Sequence, residues 1–178
     1  MTEQERKEEQ AIVKNQLNHE DPSQVIEAIR ACKEIGNADF VSPLVETFLK
    51  WDIQEIKDEV TQLFADLHDT KAMDAYLNKV LAIDLKDDDA LLLSSIWQGK
   101  YNLNEKLAKM IRKGFGSGFL CAFETFTILE NLQGQFEEEH LLEAQVACRE
   151  CKENADNQQV KDWLDASLQI IINTPHVE

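Results

Sequence analysis

The residues best suited to metal or redox chemistry are Cys148-Arg149-Glu150-Cys151, which carry a CxxC spacing, with His140 upstream as a candidate third ligand. Geometry opposes the site. If 137–152 is one continuous helix, His140 and Cys148 are separated by about 12 Å along its axis, whereas zinc holds its ligands at about 2 Å. A second CxxC is absent, and no strand precedes the motif as a thioredoxin-like site requires. The four cysteines, Cys32, Cys121, Cys148 and Cys151, each fall in an apolar helical stripe and are expected to be reduced, packed thiols. The acidic runs Asp87-Asp88-Asp89 and Glu137-Glu138-Glu139 lack the alternating ligands of a calcium loop. They stand at predicted helix starts, where carboxylates accept from free amides and complement the helix dipole. No metal or cofactor is expected.

A second candidate is electrostatic. Between Lys100 and Lys113 five basic residues face one acid, giving +4 inside a chain whose remainder carries −20. The segment Gly114-Phe115-Gly116-Ser117-Gly118 follows as a glycine-rich turn between helices. Lys109, Arg112 and Lys113, with Gly116, Ser117, Gly118 and the free amides there, form a candidate contact for an acidic partner or an anion. The plainer account is a tight helix-to-helix turn with lysines complementing a helix C-terminus. The P-loop pattern G-x-x-x-x-G-K-[ST] is not met, so nucleotide hydrolysis is not expected. His19, His68, His140 and His176 all lie near predicted termini or turns, and no nucleophile, base and orienting group recur in a recognisable arrangement.

Thirty-four acidic against eighteen basic residues leave a net charge of −16. That charge repels nucleic-acid phosphates and anionic membranes. The N-terminus is charged and offers no apolar signal core, and no apolar run approaches the roughly 18 residues of a spanning helix. A cytoplasmic protein is expected. With 43% hydrophobic and 29% charged residues the 178-residue chain has an ordinary globular composition.

The elements that must position these residues are helices. Apolar residues recur at intervals of three and four almost throughout, and no strand is predicted. Helices are predicted over 3–18, 22–35, 40–50, 53–67, 71–83, 88–98, 103–113, 118–132, 137–152 and 157–173, making five hairpins. The hairpins repeat. The second helix of each pair opens on a capping residue followed four positions later by an apolar one: Asp21 and Val25, Asp52 and Ile56, Asp87 and Leu91, Ser117 and Cys121, Asp156 and Val160. The caps are spaced by 31, 35, 30 and 39 residues. First helices of the internal pairs carry apolar doublets one turn apart, Leu44-Val45 with Phe48-Leu49 and Tyr76-Leu77 with Val80-Leu81. Leu107-Ala108 with Met110-Ile111 is a looser copy. Such broad stripes would bury themselves against a hairpin partner and the next repeat together.

The stretch Asp21 to Leu81, with its capped helix, the glycine stop at Gly36, Pro43 in the next helix and the doublet helix, resembles HEAT repeats. The residue after the first apolar position of each capped helix, often arginine in that family, is Ile26, Lys57, Leu92, Ala122 and Lys161 here. A tetratricopeptide-like stack is the alternative, although its tryptophan, glycine, tyrosine and alanine spacings are not met. The resemblance implies an all-α, right-handed α-α superhelix of about five hairpins. It would be a single domain over 1–178, with a capping helix over 1–20, repeats over 21–153 and a C-terminal cap over 154–178. It further implies a non-catalytic scaffold or adaptor whose inner face, made by the capped helices, engages a protein partner of unknown identity. Enzymes exist among HEAT-like proteins, DNA glycosylases and phycobilin lyases among them, so a HEAT-like enzyme or lyase-type accessory protein is the alternative function. Two apolar helices, around Phe119 to Leu132 and Val160 to Ile172, are either buried on several sides or offered to a partner. Trp163, Ile170 and Ile171 are candidates for self-association as a homodimer.

Overall fold

A computed structural model describes residues 2–35 and 37–177; the expected glycine stop at Gly36 lies outside them. Ten α-helices are present among the described residues: α1 (Glu3–Gln16), α2 (Pro22–Ile35), α3 (Val41–Lys50), α4 (Gln54–Ala65), α5 (Thr70–Ala82), α6 (Ala90–Gln98), α7 (Leu107–Gly116), α8 (Phe119–Glu130), α9 (Glu138–Asn154) and α10 (Gln158–Asn173). The apolar periodicity locates every one of them. Short 3-10 turns at Ala38–Phe40, Asp87–Asp89 and Asn104–Lys106 lead into α3, α6 and α7. Among the described residues no helix is long and apolar enough to cross a membrane.

The chain divides into two compact units, Met1–Lys79 and Val80–Glu178. In the first, α1 pairs with α2, α2 packs on α4, and α3 on α4. Its core holds Ile29, Phe40, Phe48 and Phe64 at no more than 1% exposure, with Tyr76 stacked on Phe64 at 3.8 Å between ring centroids. Each such side chain contributes about 1.5–3 kcal/mol by leaving water. Pro43 sits in the first turn of α3, where its missing N–H costs no helical hydrogen bond. Arg30 on α2 reaches Glu59 and Glu55 on α4 at 2.8 and 3.3 Å, and Lys79 on α5 reaches Glu46 on α3 at 3.0 Å. Each joins a helix to the next but one.

In the second unit α6 packs on α8, α7 on α9 and α8 on α10, while α7 and α8, and α9 and α10, form hairpins. Arg112 on α7 reaches Glu150 on α9 at 2.8 Å, again joining a helix to the next but one. Contrary to the expectation of no strand, two short strands, β1 (Phe136–Glu137) and β2 (His176–Val177), pair in parallel. They tie the end of the chain to the start of α9. Two residues are too few to leave a period-two pattern in the sequence.

The caps are corrected in register. Asp21 does cap α2, its Oδ1 accepting from the Ser23 amide at 3.0 Å. Asp52 is solvent-exposed and stands outside α4, whose first residue is preceded by Ile53 without a side-chain cap. Asn157, not Asp156, caps α10, accepting from Gln159 and Val160. Ser117 donates back to the Lys113 carbonyl at 2.6 Å and caps nothing. Within the 87–89 run it is Asp89 that closes the start, its Oδ2 accepting from the Lys86 amide at 3.0 Å, whereas Glu137 precedes α9 without a side-chain cap. The apolar positions four residues after the expected caps fare better: Val25, Ile56, Cys121 and Val160 are buried, while Leu91 is half-buried. Their place is set by the stripe, which a one-residue shift of the cap leaves unchanged.

Candidate functional site

The expected glycine-rich turn is shorter than its composition suggests. Gly114 and Gly116 belong to the last turns of α7, and only Ser117 and Gly118 lie between the helices. Gly114 is there for packing: a Cβ on it would overlap the Thr125 side chain of α8. Gly118 has φ +138°, a backbone that favours glycine, and a Cβ there would meet the Asp87 carboxylate.

That carboxylate fills the anion place. Asp87 Oδ1 accepts from the Leu120 and Cys121 amides at 2.8 and 3.3 Å, and its Oδ2 from Phe119 at 3.2 Å. The amides expected to be free at the start of α8 therefore hold an internal anion. The sequence signal for this pairing was the 30-residue interval between Asp87 and Ser117, one repeat, which the expectation of a local cap left unused. Of the basic candidates, Arg112 is paired with Glu150, Lys109 is exposed and Lys113 is half-buried. Arg112, Gly116 and Gly118 do line one cavity of about 600 Å³, together with Phe119, Asn157 and Val160.

His140 Nδ1 lies 3.0 Å from Asn104 Oδ1, which also accepts from the Glu137 amide at 3.0 Å, so Asn104 serves the start of α9 from 33 residues upstream. Burial pushes the thiols of Cys32, Cys121 and Cys148 up to about 12, with the Asp87 carboxylate adding to the effect at Cys121. Burial raises Cys151 as well. Thiols in that state carry almost no thiolate at neutral pH and make poor nucleophiles. Among the described residues no group of three or more His, Cys, Asp or Glu is placed to hold a metal ion.

Three accessible apolar side chains gather at the start of α8, beside α10. Phe119, Leu120 and Phe123 are 44%, 49% and 45% exposed, although all three stand on a helix whose opposite side is fully buried. Trp163 of α10 lies against α8, with ring centroids 5.1 Å from Phe119, 5.6 Å from Phe123 and 6.1 Å from Phe126. The helices run parallel, since Phe119 and Val160 share the cavity at one end while Leu129 and Ile170 share a second, of about 450 Å³, at the other. Of the residues expected to mediate self-association, Ile171 is fully buried, Trp163 is engaged by α8, and Ile170 lines the second cavity.

A carboxyl of α8 is turned to α6 instead. Glu124 accepts from the Trp97 indole at 2.8 Å, and burial raises its pKa above the ordinary 4.5 against the opposing effect of that hydrogen bond. Compared with known protein families, curated proteins and solved structures, the chain finds no match.

Proposed function

We propose that this chain is a non-catalytic interaction module: stacked helical hairpins of the HEAT-repeat kind that bind a protein partner along the α8–α10 face. The stacking is supported by the reach of its polar bridges. Arg30 to Glu55 and Glu59, Glu46 to Lys79, Asp87 to the α8 amides, Trp97 to Glu124, Asn104 to Glu137 and Arg112 to Glu150 span 25 to 38 residues, about one repeat each. Repeat proteins are quasi-one-dimensional in this way, each unit touching its neighbours in sequence.

The observation that carries the functional reading is the exposure of Phe119, Leu120 and Phe123 around Trp163. Contiguous aromatic surface left wet on a helical layer is the usual mark of an interaction site, and aromatic side chains supply most binding hot spots. A scaffold of this kind needs rigid helices and a presented face, and no reacting groups. The enzyme alternative draws on Glu124 alone, and that carboxyl is absent from the lining of both cavities described here.

The test is quantitative affinity capture from the native cell, comparing wild type with the double variant Phe119→Asp and Phe123→Asp. Both positions are nearly half exposed, so circular dichroism should be unchanged. Partners recovered by wild type and lost from the variant support the reading; an identical set from both places binding elsewhere and overturns it for this face.

A further inference from the structure

We infer that the occupant of the α8–α10 seam is a basic amphipathic helix of a protein partner, an inference that rests on the interaction reading above. The seam has helical dimensions. From Phe119 to Glu130 it runs for twelve residues, about 17 Å or three turns. Its middle is apolar, made of Phe119, Phe123, Phe126 and Trp163, and each end opens into a cavity. Two end cavities and an apolar middle fit a helix that places anchors at i, i+3 or i+4, and i+7.

The charges along the seam choose the partner's sign. Asp156 lines the first cavity and Glu130 the second, and Asp162, exposed, stands beside Trp163 on the sequence of α10. Among the described residues none of the three is in an ion pair shown at this surface, and Asp162 only accepts from Gln158. The cations nearby are spoken for or turned away: Arg112 is held by Glu150 at 2.8 Å, and Lys161 lines a separate cavity with Asp165 and Lys152. The seam therefore presents a carboxylate at each end, with exposed Asp162 one residue from Trp163, in a chain of net charge −16. A lysine- or arginine-flanked helix gains from them in encounter rate and specificity. A second copy of this chain would set carboxylates against carboxylates, which disfavours an isologous dimer through the same face.

The experiment is selection of a displayed library of helical peptides on the full chain, with depletion on the Phe123→Asp variant, followed by fluorescence anisotropy of the enriched peptides. The expected peptides carry apolar residues at i, i+3 or i+4, and i+7 flanked by Lys or Arg. Their Kd should weaken about tenfold or more in Phe123→Asp, which corresponds to about 1.4 kcal/mol. It should also weaken several-fold, roughly, between low salt and about 0.5 M salt. The double variant Glu130→Lys and Asp162→Lys leaves the apolar middle intact and should lose affinity for the basic peptides while keeping its circular dichroism.

Enrichment of acidic or uncharged peptides, failure to enrich any, or affinity unchanged in both variants overturns the inference. So does a concentration-dependent dimer in sedimentation that Phe123→Asp abolishes, since the occupant is then a second copy. Cellular capture that depends on Phe119 and Phe123 while the selected peptides are not basic sinks the basic helix and leaves the interaction reading standing.

Discussion

Gly114 and Thr125 meet where α7 crosses α8, and there the absence of a side chain is what lets the two backbones approach. In an exposed helix Gly to Ala gains up to about 1 kcal/mol. Here Gly114→Ala should instead lower stability by about 1–3 kcal/mol, the cost of overpacking, read as a fall in the urea midpoint. A gain in stability would mean that the contact relaxes freely. The Trp97–Glu124 pair behaves differently because its strain is electrostatic. Burial raises the folded-state pKa of Glu124 above 4.5, so the folded state binds the proton more tightly than the unfolded chain. Stability from this group falls as pH climbs from about 4.5 through the raised value, and the penalty is complete above it. Glu124→Gln retains an oxygen for the Trp97 indole and removes the charge. The variant should match or exceed wild type in urea midpoint at pH 7, with the gap closing toward pH 4.5; a lower midpoint at pH 7 would show that the charge strengthens the bond more than burial penalises it.

At the scale of the element, α8 depends on a residue it does not contain. Its first turn has no cap of its own, Gly118 offering no side chain, and the three amides of Phe119, Leu120 and Cys121 converge on Asp87. Asp87→Ala should cost about 1–2 kcal/mol, as for loss of a good N-cap, with Asp87→Asn intermediate in thermal unfolding. The emptied amides also make a test of the site itself: inorganic phosphate should raise the Tm of Asp87→Ala more than that of wild type, where the carboxylate already occupies the place. Equal shifts would place phosphate elsewhere, for instance on Lys109. The same borrowing recurs at α9, served by Asn104. The starts of α8 and α9 are thus closed by residues 32 to 34 positions upstream, which couples neighbouring hairpins through hydrogen bonds as well as apolar contact.

For the whole molecule the governing quantity is charge. With −16 overall, the chain should associate with cationic surfaces and resist self-association. Sedimentation velocity at low salt should give a monomer whose coefficient does not change from micromolar to tens of micromolar. A dimer that persists would place self-association on other exposed apolar residues such as Leu142 and Val146 of α9.

Helix number, and helix boundaries to within about two residues except at α7, expected over 103–113 and found at Leu107–Gly116, were determined by the sequence alone, because a stripe repeating every three to four residues is a local property that any neighbour must respect. The positions buried at Val25, Ile56, Cys121 and Val160 follow from the same stripe. What only the tertiary structure decided is which partner each polar group takes. Asp87, expected to cap the helix it opens, caps α8 instead; Gly114, expected in a turn, is a contact point; the amides expected to take a foreign anion hold an internal one. The two-residue pairing of Phe136–Glu137 with His176–Val177 is likewise invisible locally. A hydrogen bond between residues one repeat apart leaves no periodic trace, since both ends are ordinary polar residues at helix ends. Only the packing of one hairpin on the next brings them within 3 Å or so of each other.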